Sequence, residues 1–161
     1  MNKIYSLDNL IAICSNWKNK NKTIVFTNGC FDILHKGHID YLYKASALGD
    51  KLVVAINDDE SVRKNKGNYR PIINEKSRSI VLAALECVDA VVLFNNYTPE
   101  ILIRKLCPDI LVKGADYNEK NIVGANFIRE NGGKVKTIAL TKGYSTTEII
   151  KNAKNSINGK N

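Results

Sequence analysis

The sequence predicts an α/β fold with a doubly wound sheet of about five parallel strands and helices on both faces. Short apolar runs rich in β-branched residues alternate with longer segments of helical spacing. Residues 52–56 are apolar throughout, which is typical of a strand covered on both faces. Ligands of such sheets bind beyond the carboxyl ends of the strands. The loops after Asn28, Asn57, Lys113 and Leu140 are therefore the expected location of a site.

The elements follow one another in a regular order. Strands are predicted at residues 23–28, 51–57, 89–94, 109–113 and 134–140, and helices at residues 6–17, 37–48, 74–88, 98–106, 120–131 and 145–154. Gly49 ends the second helix and Gly132 the fifth. Thr98 predicts an N-cap with Pro99 at the first helical position, and Pro108 lies beyond that helix. Before the last helix, Ser145 and Glu148 have the spacing of a capping box.

Length and composition predict one domain over residues 1–161, with an N-terminal helical region at 1–22, a core at 23–154 and a frayed tail at 155–161. Hydrophobic residues make up 44% and charged residues 25%, which excludes disordered and fibrous classes. The formal charge is +8, and the excess lies mainly in the first 22 and last 20 residues. There is no basic stripe with interleaved aromatic residues, so nucleic acid is not an expected partner.

The cysteine spacing and the lack of targeting patterns point to a cytoplasmic protein. The four cysteines, Cys14, Cys30, Cys87 and Cys107, form no CxxC pair, so reduced thiols and no metal site are expected. No signal-peptide pattern and no membrane-length apolar run is present, so a cytoplasmic location without membrane association is expected. The patterns GxxxxGK[ST] and GxGxxG are absent, which argues against P-loop enzymes and nicotinamide dehydrogenases.

Both histidines of the chain lie in the first candidate loop. His35 and His38 flank Gly37, which opens a helix directly after a predicted strand. A helix N-terminus offers free N–H groups and a positive dipole end, and glycine lets a phosphate approach the backbone. Two imidazoles beside that point can donate hydrogen bonds to phosphate oxygens whose charge grows during transfer. The loop therefore predicts a site that binds phosphate and assists its transfer.

The run Gly29-Cys30-Phe31-Asp32 followed by His35-Lys36-Gly37-His38 resembles the G-x-F-D and H-x-G-H motifs of the cytidylyltransferase-like nucleotidyltransferases. The resemblance extends over residues 23–151 and implies a Rossmann-like nucleotidylyl transferase fold. It implies that His35 and His38 bind the triphosphate and stabilise the α-phosphate under attack by a second phosphate. It also assigns nucleotide binding in this loop to Thr27, Asn28, Gly29, Cys30, Phe31, Asp32 and Gly37.

A second run, Ser145-Thr146-Thr147, is similar to the family's I-S-S-T-x-x-R motif. These hydroxyls at a helix N-terminus can hold nucleotide phosphates, and Ser145 can cap the helix as well. Ile150 stands at the family's arginine position and Lys151 follows one place later, about 100° further around the helix. Lys113, Gly114 and Asp116, after the fourth predicted strand, are further expected nucleotide-binding residues.

Residues 57–71 form a basic segment that is interpreted as a loop. Its cations suit a solvated surface or a clamp on a substrate phosphate equally well. The candidate phosphate ligands are Arg63, Lys66 and Arg70, together with Arg78 in the following helix, which matches a position where the family often has arginine.

The pattern Lys113-Gly-x-Asp-Tyr117 with Lys66-Gly67 and Arg70-Pro71 looks most like the heptose 1-phosphate adenylyltransferase branch. The resemblance implies transfer from ATP to D-glycero-D-manno-heptose 1-phosphate, with Mg²⁺ bound to the triphosphate and a homo-oligomeric assembly. The alternatives are a cytidylyltransferase acting on glycerol 3-phosphate or another small phosphate, and a nucleotide-binding module without turnover.

Overall fold

In the computed structural model, residues 3–117, 121–157 and 159 are described. Their strands form a parallel sheet in the order β1-β4-β3-β2-β5-β6. The strands are β1 (Ile4–Tyr5), β2 (Ile24–Gly29), β3 (Lys51–Asn57), β4 (Ala90–Phe94), β5 (Ile110–Gly114) and β6 (Lys134–Ile138). From β2 the chain builds outward through β3 to β4, then returns to place β5 on the other side of β2. The strand order therefore reverses between β2 and β5.

The helices cover both faces of this sheet, as predicted. They are α1 (Leu7–Asn19), α2 (Lys36–Ser46), α3 (Asp59–Lys66), α4 (Glu75–Ala83), α5 (Glu100–Leu106), α6 (Ala125–Glu130) and α7 (Thr146–Ile157). None of the helices in the described part of the chain is long and apolar enough to cross a membrane.

Alternate residues of β2 and β3 enter two separate cores because successive side chains of a strand point to opposite faces. Phe26 and Val53 pack with residues of α1, α5 and α6 on one face. Val25 and Val54 pack with residues of α2 and α4 on the other. The N-terminal helix belongs to the first core, since Leu10 is fully buried there.

Two elements were not predicted. Strand β1 has two residues that pair with Val91 and Val92 of β4, so the sheet has six strands where about five were expected. Helix α3 occupies much of the basic segment that was interpreted as a loop, and that prediction is wrong. Asp58 caps α3 by accepting a hydrogen bond from the Ser61 backbone N–H at 2.8 Å.

Several predicted boundaries also need correction. Helix α4 ends at Ala83, and residues 84–88 form turns before β4. Helix α5 begins at Glu100, so Pro99 occupies the N-cap position predicted for Thr98. Helix α6 is shorter than predicted, although residues 118–120 lie outside the described residues. Helix α7 continues to Ile157, into the predicted frayed tail, of which residues 158, 160 and 161 lie outside the described residues.

Candidate active site

A cavity of about 770 Å³ opens at the carboxyl ends of β2, β3 and β5. This is the edge at which the strand order reverses, where α/β sheets bind ligands. The predicted site residues that line it are Asn28, Gly29, Cys30, Phe31, Asp32, His35, Gly37, His38, Lys66, Arg70, Lys113, Gly114, Asp116, Ser145, Thr146 and Thr147. The loops after all four strand ends named from the sequence contribute to this one cavity.

The two imidazoles form a stacked pair at the start of α2. Their ring centroids lie 3.8 Å apart with an interplanar angle of 23°. His35 is the N-cap residue of α2, and its carbonyl oxygen accepts hydrogen bonds from the backbone N–H groups of His38 and Ile39. The Phe31 ring lies 5.3 Å from the His38 ring, which places an aromatic side chain beside the pair.

Burial keeps both imidazoles in the neutral form. Desolvation, with a smaller contribution from the neighbouring His35, lowers the pKa of His38 from 6.5 to about 4. Desolvation lowers the pKa of His35 in the same direction. Each neutral ring therefore carries one N–H group near neutral pH, and a hydrogen bond with the Ile33 backbone also acts on His38.

Three buried polar side-chain atoms at this cavity have no hydrogen-bond partner among the described residues: Nδ1 of His35, Nδ1 of His38 and Oδ1 of Asn28. Buried polar atoms in folded proteins are nearly always hydrogen-bonded, and an orphaned one needs an explanation. Their clustering on one cavity wall indicates a polar ligand that contacts this wall.

The hydroxyl cluster that precedes and opens α7 meets this same wall. The hydroxyl of Thr146 lies 3.5 Å from the carbonyl oxygen of Ile33, which belongs to the loop that carries the imidazole pair. The ring of Tyr144 stacks on His35 with centroids 6.3 Å apart. A Cβ added to Gly37 would lie 3.0 Å from Tyr144 Cβ and 3.1 Å from His35 Nδ1. Glycine at this position therefore allows the two motifs to approach each other.

Lys113 extends from the end of β5 into the cavity. Its ammonium donates a hydrogen bond to the carbonyl oxygen of Asn28 at 3.1 Å and lies 5.1 Å from the centre of the Tyr117 ring. Burial lowers the pKa of this lysine from 10.5 to about 8. Asp116, which also lines the cavity, raises that pKa by a smaller amount.

Arg78 does not line the cavity, which corrects its prediction as a substrate ligand. It is 1% exposed, and its guanidinium donates to the carbonyl oxygens of Ile73, Cys30 and Asn57 and to a carboxylate oxygen of Asp59. These bonds tie the ends of β2 and β3 to the starts of α3 and α4. Arg78 is therefore a structural residue beneath the site.

Two other predicted residues also lie outside the cavity lining. Thr27 is fully buried, and its hydroxyl is hydrogen-bonded to the Tyr41 hydroxyl at 2.8 Å. Arg63 is exposed on α3. Lys151, which follows the family's arginine position, is exposed and is not part of the lining either.

Other lining residues were not identified from the sequence. They are Tyr41, Asn57, Asn65, Tyr97, Thr98, Pro99, Asn121, Ile122, Val123, Leu140, Thr141 and Tyr144, with Tyr117 beside the predicted Asp116. Tyr144 directly precedes the Ser-Thr-Thr run, and that adjacency was the available signal. Of the others, Tyr41 lies in α2, Asn65 in α3 and Asn57 at the end of β3, and the rest lie in loops between elements.

The Cytidylyltransferase-like family pattern matches residues 26–152, which include the imidazole pair and the hydroxyl cluster. The chain belongs to the cytidylyltransferase-like family. It is a nucleotidyltransferase, as the two sequence motifs predicted.

The curated relatives that match are larger proteins. The bifunctional protein HldE of Koribacter versatilis is 49% identical over 148 residues, which cover 92% of this chain and 30% of the relative. The bifunctional protein HldE of Helicobacter acinonychis is 51% identical over 156 residues, which cover 97% of this chain and 32% of the relative. The chain thus spans about a third of the length of these relatives.

Two solved structures resemble the fold. The lipopolysaccharide core biosynthesis protein from Thermoplasma volcanium is 33% identical with a TM-score of 0.61, over 77% of this chain and 99% of that one. Pantoate-beta-alanine ligase from Francisella tularensis is 16% identical with a TM-score of 0.59, over 94% of this chain and 76% of that one. At this low identity the ligase supports the fold alone.

Proposed function

We propose that the chain transfers a nucleotidyl group from a nucleoside triphosphate, with ATP favoured, to a sugar 1-phosphate. The favoured acceptor is D-glycero-D-manno-heptose 1-phosphate, and the products are pyrophosphate and a nucleotide-activated heptose for lipopolysaccharide or a related surface glycan. The observation that carries this proposal is the convergence of the imidazole pair and the hydroxyl cluster on one cavity. The name of the Thermoplasma protein, which refers to lipopolysaccharide core biosynthesis, supports the proposed use of the product.

In the proposed reaction a phosphate oxygen of the acceptor attacks the α-phosphorus of the triphosphate. A new P–O bond forms as the bond from the α-phosphorus to the bridging oxygen breaks, and pyrophosphate leaves with that electron pair. Negative charge grows on the phosphate oxygens during this step, and preorganised donors lower its energy. His35 and His38 supply N–H donors at the α2 N-terminus, and Thr146 supplies a hydroxyl. No covalent intermediate on the protein is required.

Lys113 gives the nucleotide side of the cavity its positive charge. Below its pKa of about 8 the ammonium is mostly charged, and it lies within hydrogen-bond distance of the Asn28 carbonyl, on the wall that carries the orphaned atoms. A bound triphosphate would stabilise the charged form of this lysine. We therefore assign Lys113 to the phosphates of the nucleotide.

Mg²⁺ is proposed to enter with the triphosphate. In the described part of the chain, no group of three or more His, Cys, Asp or Glu residues could hold a metal ion by itself. Mg²⁺ commonly uses one or two carboxylates together with substrate phosphates and water. Asp116 is the carboxylate suited to this, because Asp32 already accepts hydrogen bonds from three donors. When bound, the ion would neutralise charge on the triphosphate and on the departing pyrophosphate.

The acceptor phosphate is assigned to the basic wall formed by Lys66 and Arg70. Both side chains line the cavity, and the charges of both act on the Cys30 thiol, opposing the burial that raises its pKa. Cys30 belongs to the loop that also carries the imidazoles. The two cations therefore lie beside the nucleotide wall, on the side where an attacking phosphate would enter.

A panel of nucleoside triphosphates and phosphorylated acceptors, with pyrophosphate release as the readout, tests the proposal. ATP with the heptose 1-phosphate should give the highest kcat/KM. Rapid turnover of CTP with glycerol 3-phosphate would instead establish the cytidylyltransferase alternative. His38→Ala should reduce the rate by about 10²-fold or more because a donor to the reacting phosphates is lost. Nucleotide binding without turnover for any acceptor would favour the binding-module alternative.

A further inference from the structure

Asp32, predicted as a nucleotide ligand, is committed to a different segment of the chain. Its side chain is fully buried, and the residue is 3% exposed. Its two carboxylate oxygens accept hydrogen bonds from the Arg70 Nε–H and from the backbone N–H groups of Ile72, at 2.8 and 3.0 Å, and Ile73, at 2.8 Å. A carboxylate with these three donors has little capacity left for a phosphate, which it would also repel.

The bond to Nε fixes the orientation of the Arg70 guanidinium. The Arg70 side chain is 16% exposed and lines the cavity. Because Asp32 takes Nε–H, the two terminal amino groups are left for a ligand. A planar guanidinium presents such a pair of donors to two oxygens of one phosphate. Lysine at the same place would have a charge and no Nε–H for Asp32 to hold.

Hydrogen bonds of Arg78 also join the imidazole loop to the segment that carries Arg70. The Arg78 guanidinium donates to the Cys30 carbonyl oxygen at 2.6 Å and to the Ile73 carbonyl oxygen at 2.9 Å. The loop that carries the imidazoles and the segment that carries Arg70 are therefore joined at residues 30 and 32. These bonds set the position of Arg70 relative to the imidazole loop, and the Arg70 backbone N–H also donates to the Gly67 carbonyl oxygen at 3.0 Å.

From this geometry we infer that Asp32 is a positioning residue for the acceptor, which holds the Arg70 guanidinium so that its terminal amino groups bind the phosphate of the attacking sugar phosphate. The inference rests on the proposed function. It makes recognition of the acceptor phosphate depend on the buried Asp32 carboxylate, which does not itself touch the substrate. Asp32 acts on the acceptor through Arg70 and leaves nucleotide binding to the rest of the loop.

The test is a double-mutant cycle on the two Michaelis constants. Arg70→Ala should raise the KM of the sugar phosphate by about tenfold or more and change the KM of the triphosphate little. Asp32→Asn should show the same selectivity, and combining the two changes should add nothing to the acceptor KM beyond Arg70→Ala. Additive effects, or an equal rise of both KM values, would overturn the inference because they indicate a general structural role.

Arg70→Lys provides a second arm that keeps Asp32 intact if Asp32→Asn does not fold. The inference predicts an acceptor KM close to that of Arg70→Ala, since lysine retains the charge and loses the fixed orientation. Recovery of the wild-type KM would show that charge alone suffices. Asp89→Asn is the matched control, because Asp89 accepts hydrogen bonds from Lys51 Nζ and the Leu52 N–H away from the cavity. Both KM values should be unchanged in that variant.

A binding measurement separates failure of this inference from failure of the proposed function. Inorganic phosphate is titrated into the full chain while the arginine Nε–H resonances are followed by NMR. Phosphate should shift the Arg70 resonance in the wild type and leave it unshifted in Asp32→Asn. Absence of turnover with this pattern would reject the proposed reaction and retain the positioning role. An equal phosphate response in both proteins would reject the role, whether or not the enzyme turns over.

Discussion

Gly37→Ala tests whether the approach of the two motifs matters for activity. The new Cβ would lie 3.0 Å from Tyr144 Cβ and 3.1 Å from two atoms of the His35 ring. Carbon atoms in comfortable contact are about 3.5–4.0 Å apart, so neighbouring groups must move by a few tenths of an ångström. The groups that must move are the hydroxyl-cluster segment and one imidazole of the pair.

The expected effect on catalysis is larger than the effect on stability. A displacement of about 1 Å in an active site can cost about 10²-fold in rate, so shifts of a few tenths of an ångström should lower kcat/KM by about tenfold. Alanine is better than glycine inside a helix by about 0.5–1 kcal/mol, which offsets much of the steric cost. The free energy of unfolding should therefore change by less than about 1 kcal/mol.

Pyrophosphate release and urea unfolding measure the two quantities on the same preparations. Ser46→Ala is the control, because Ser46 lies at the opposite end of α2 and its hydroxyl donates to the Tyr43 carbonyl oxygen, away from the cavity. That variant should keep wild-type activity. If Gly37→Ala also kept wild-type kcat/KM, the close contact between the motifs would have no catalytic role.

Three further predictions concern charge. Because the pKa of His38 is about 4 in the folded chain and 6.5 in the unfolded chain, the unfolded state binds more protons between these values. Stability is therefore lost as pH falls through this window, and urea unfolding of His38→Asn should show about 2 kcal/mol less loss between pH 7 and pH 5. Equal losses would contradict burial of a neutral His38. Arg78→Leu should lower the free energy of unfolding by about 3–5 kcal/mol, because it removes the buried donor to Asp59 and to three carbonyl oxygens. A change below about 1 kcal/mol would show that the guanidinium is not a structural tie. Since the pKa of Lys113 is about 8, the ammonium loses its charge above that pH, and the affinity for a triphosphate measured by calorimetry should weaken there. Lys113→Arg should remove this dependence, and an unchanged slope would exclude the lysine as its cause.

Much of the fold follows from local sequence. The continuous apolar run at 52–56 is buried in β3, and the predicted helices lie on both sheet faces. Strand β1 escapes such reasoning because two residues cannot show a period, and it forms through pairing with β4. Helix α3 escapes it because Val62 is its one buried apolar residue within a highly charged segment.

The roles of the site residues divide in the same way. The imidazole pair and the Ser-Thr-Thr run are local patterns, so their place in the cavity was predictable. The role of Arg78 depends on acceptors from Cys30, Asn57 and Ile73, which the fold brings together from separate segments. Asp32 is likewise bound by residues about 40 positions away. In both cases a charged residue that the sequence suggests as a ligand-binding residue instead makes hydrogen bonds within the protein.

A crystal structure with a non-hydrolysable triphosphate analogue is the most direct measurement of the shared phosphate site. We expect phosphate oxygens within hydrogen-bond distance of His35, His38 and Thr146 at the same time. In each imidazole, either the orphaned Nδ1 or the Nε2 of the same ring should then face the ligand. A triphosphate bound at only one of the two motifs, or outside the cavity, would contradict the single site on which the proposed reaction depends.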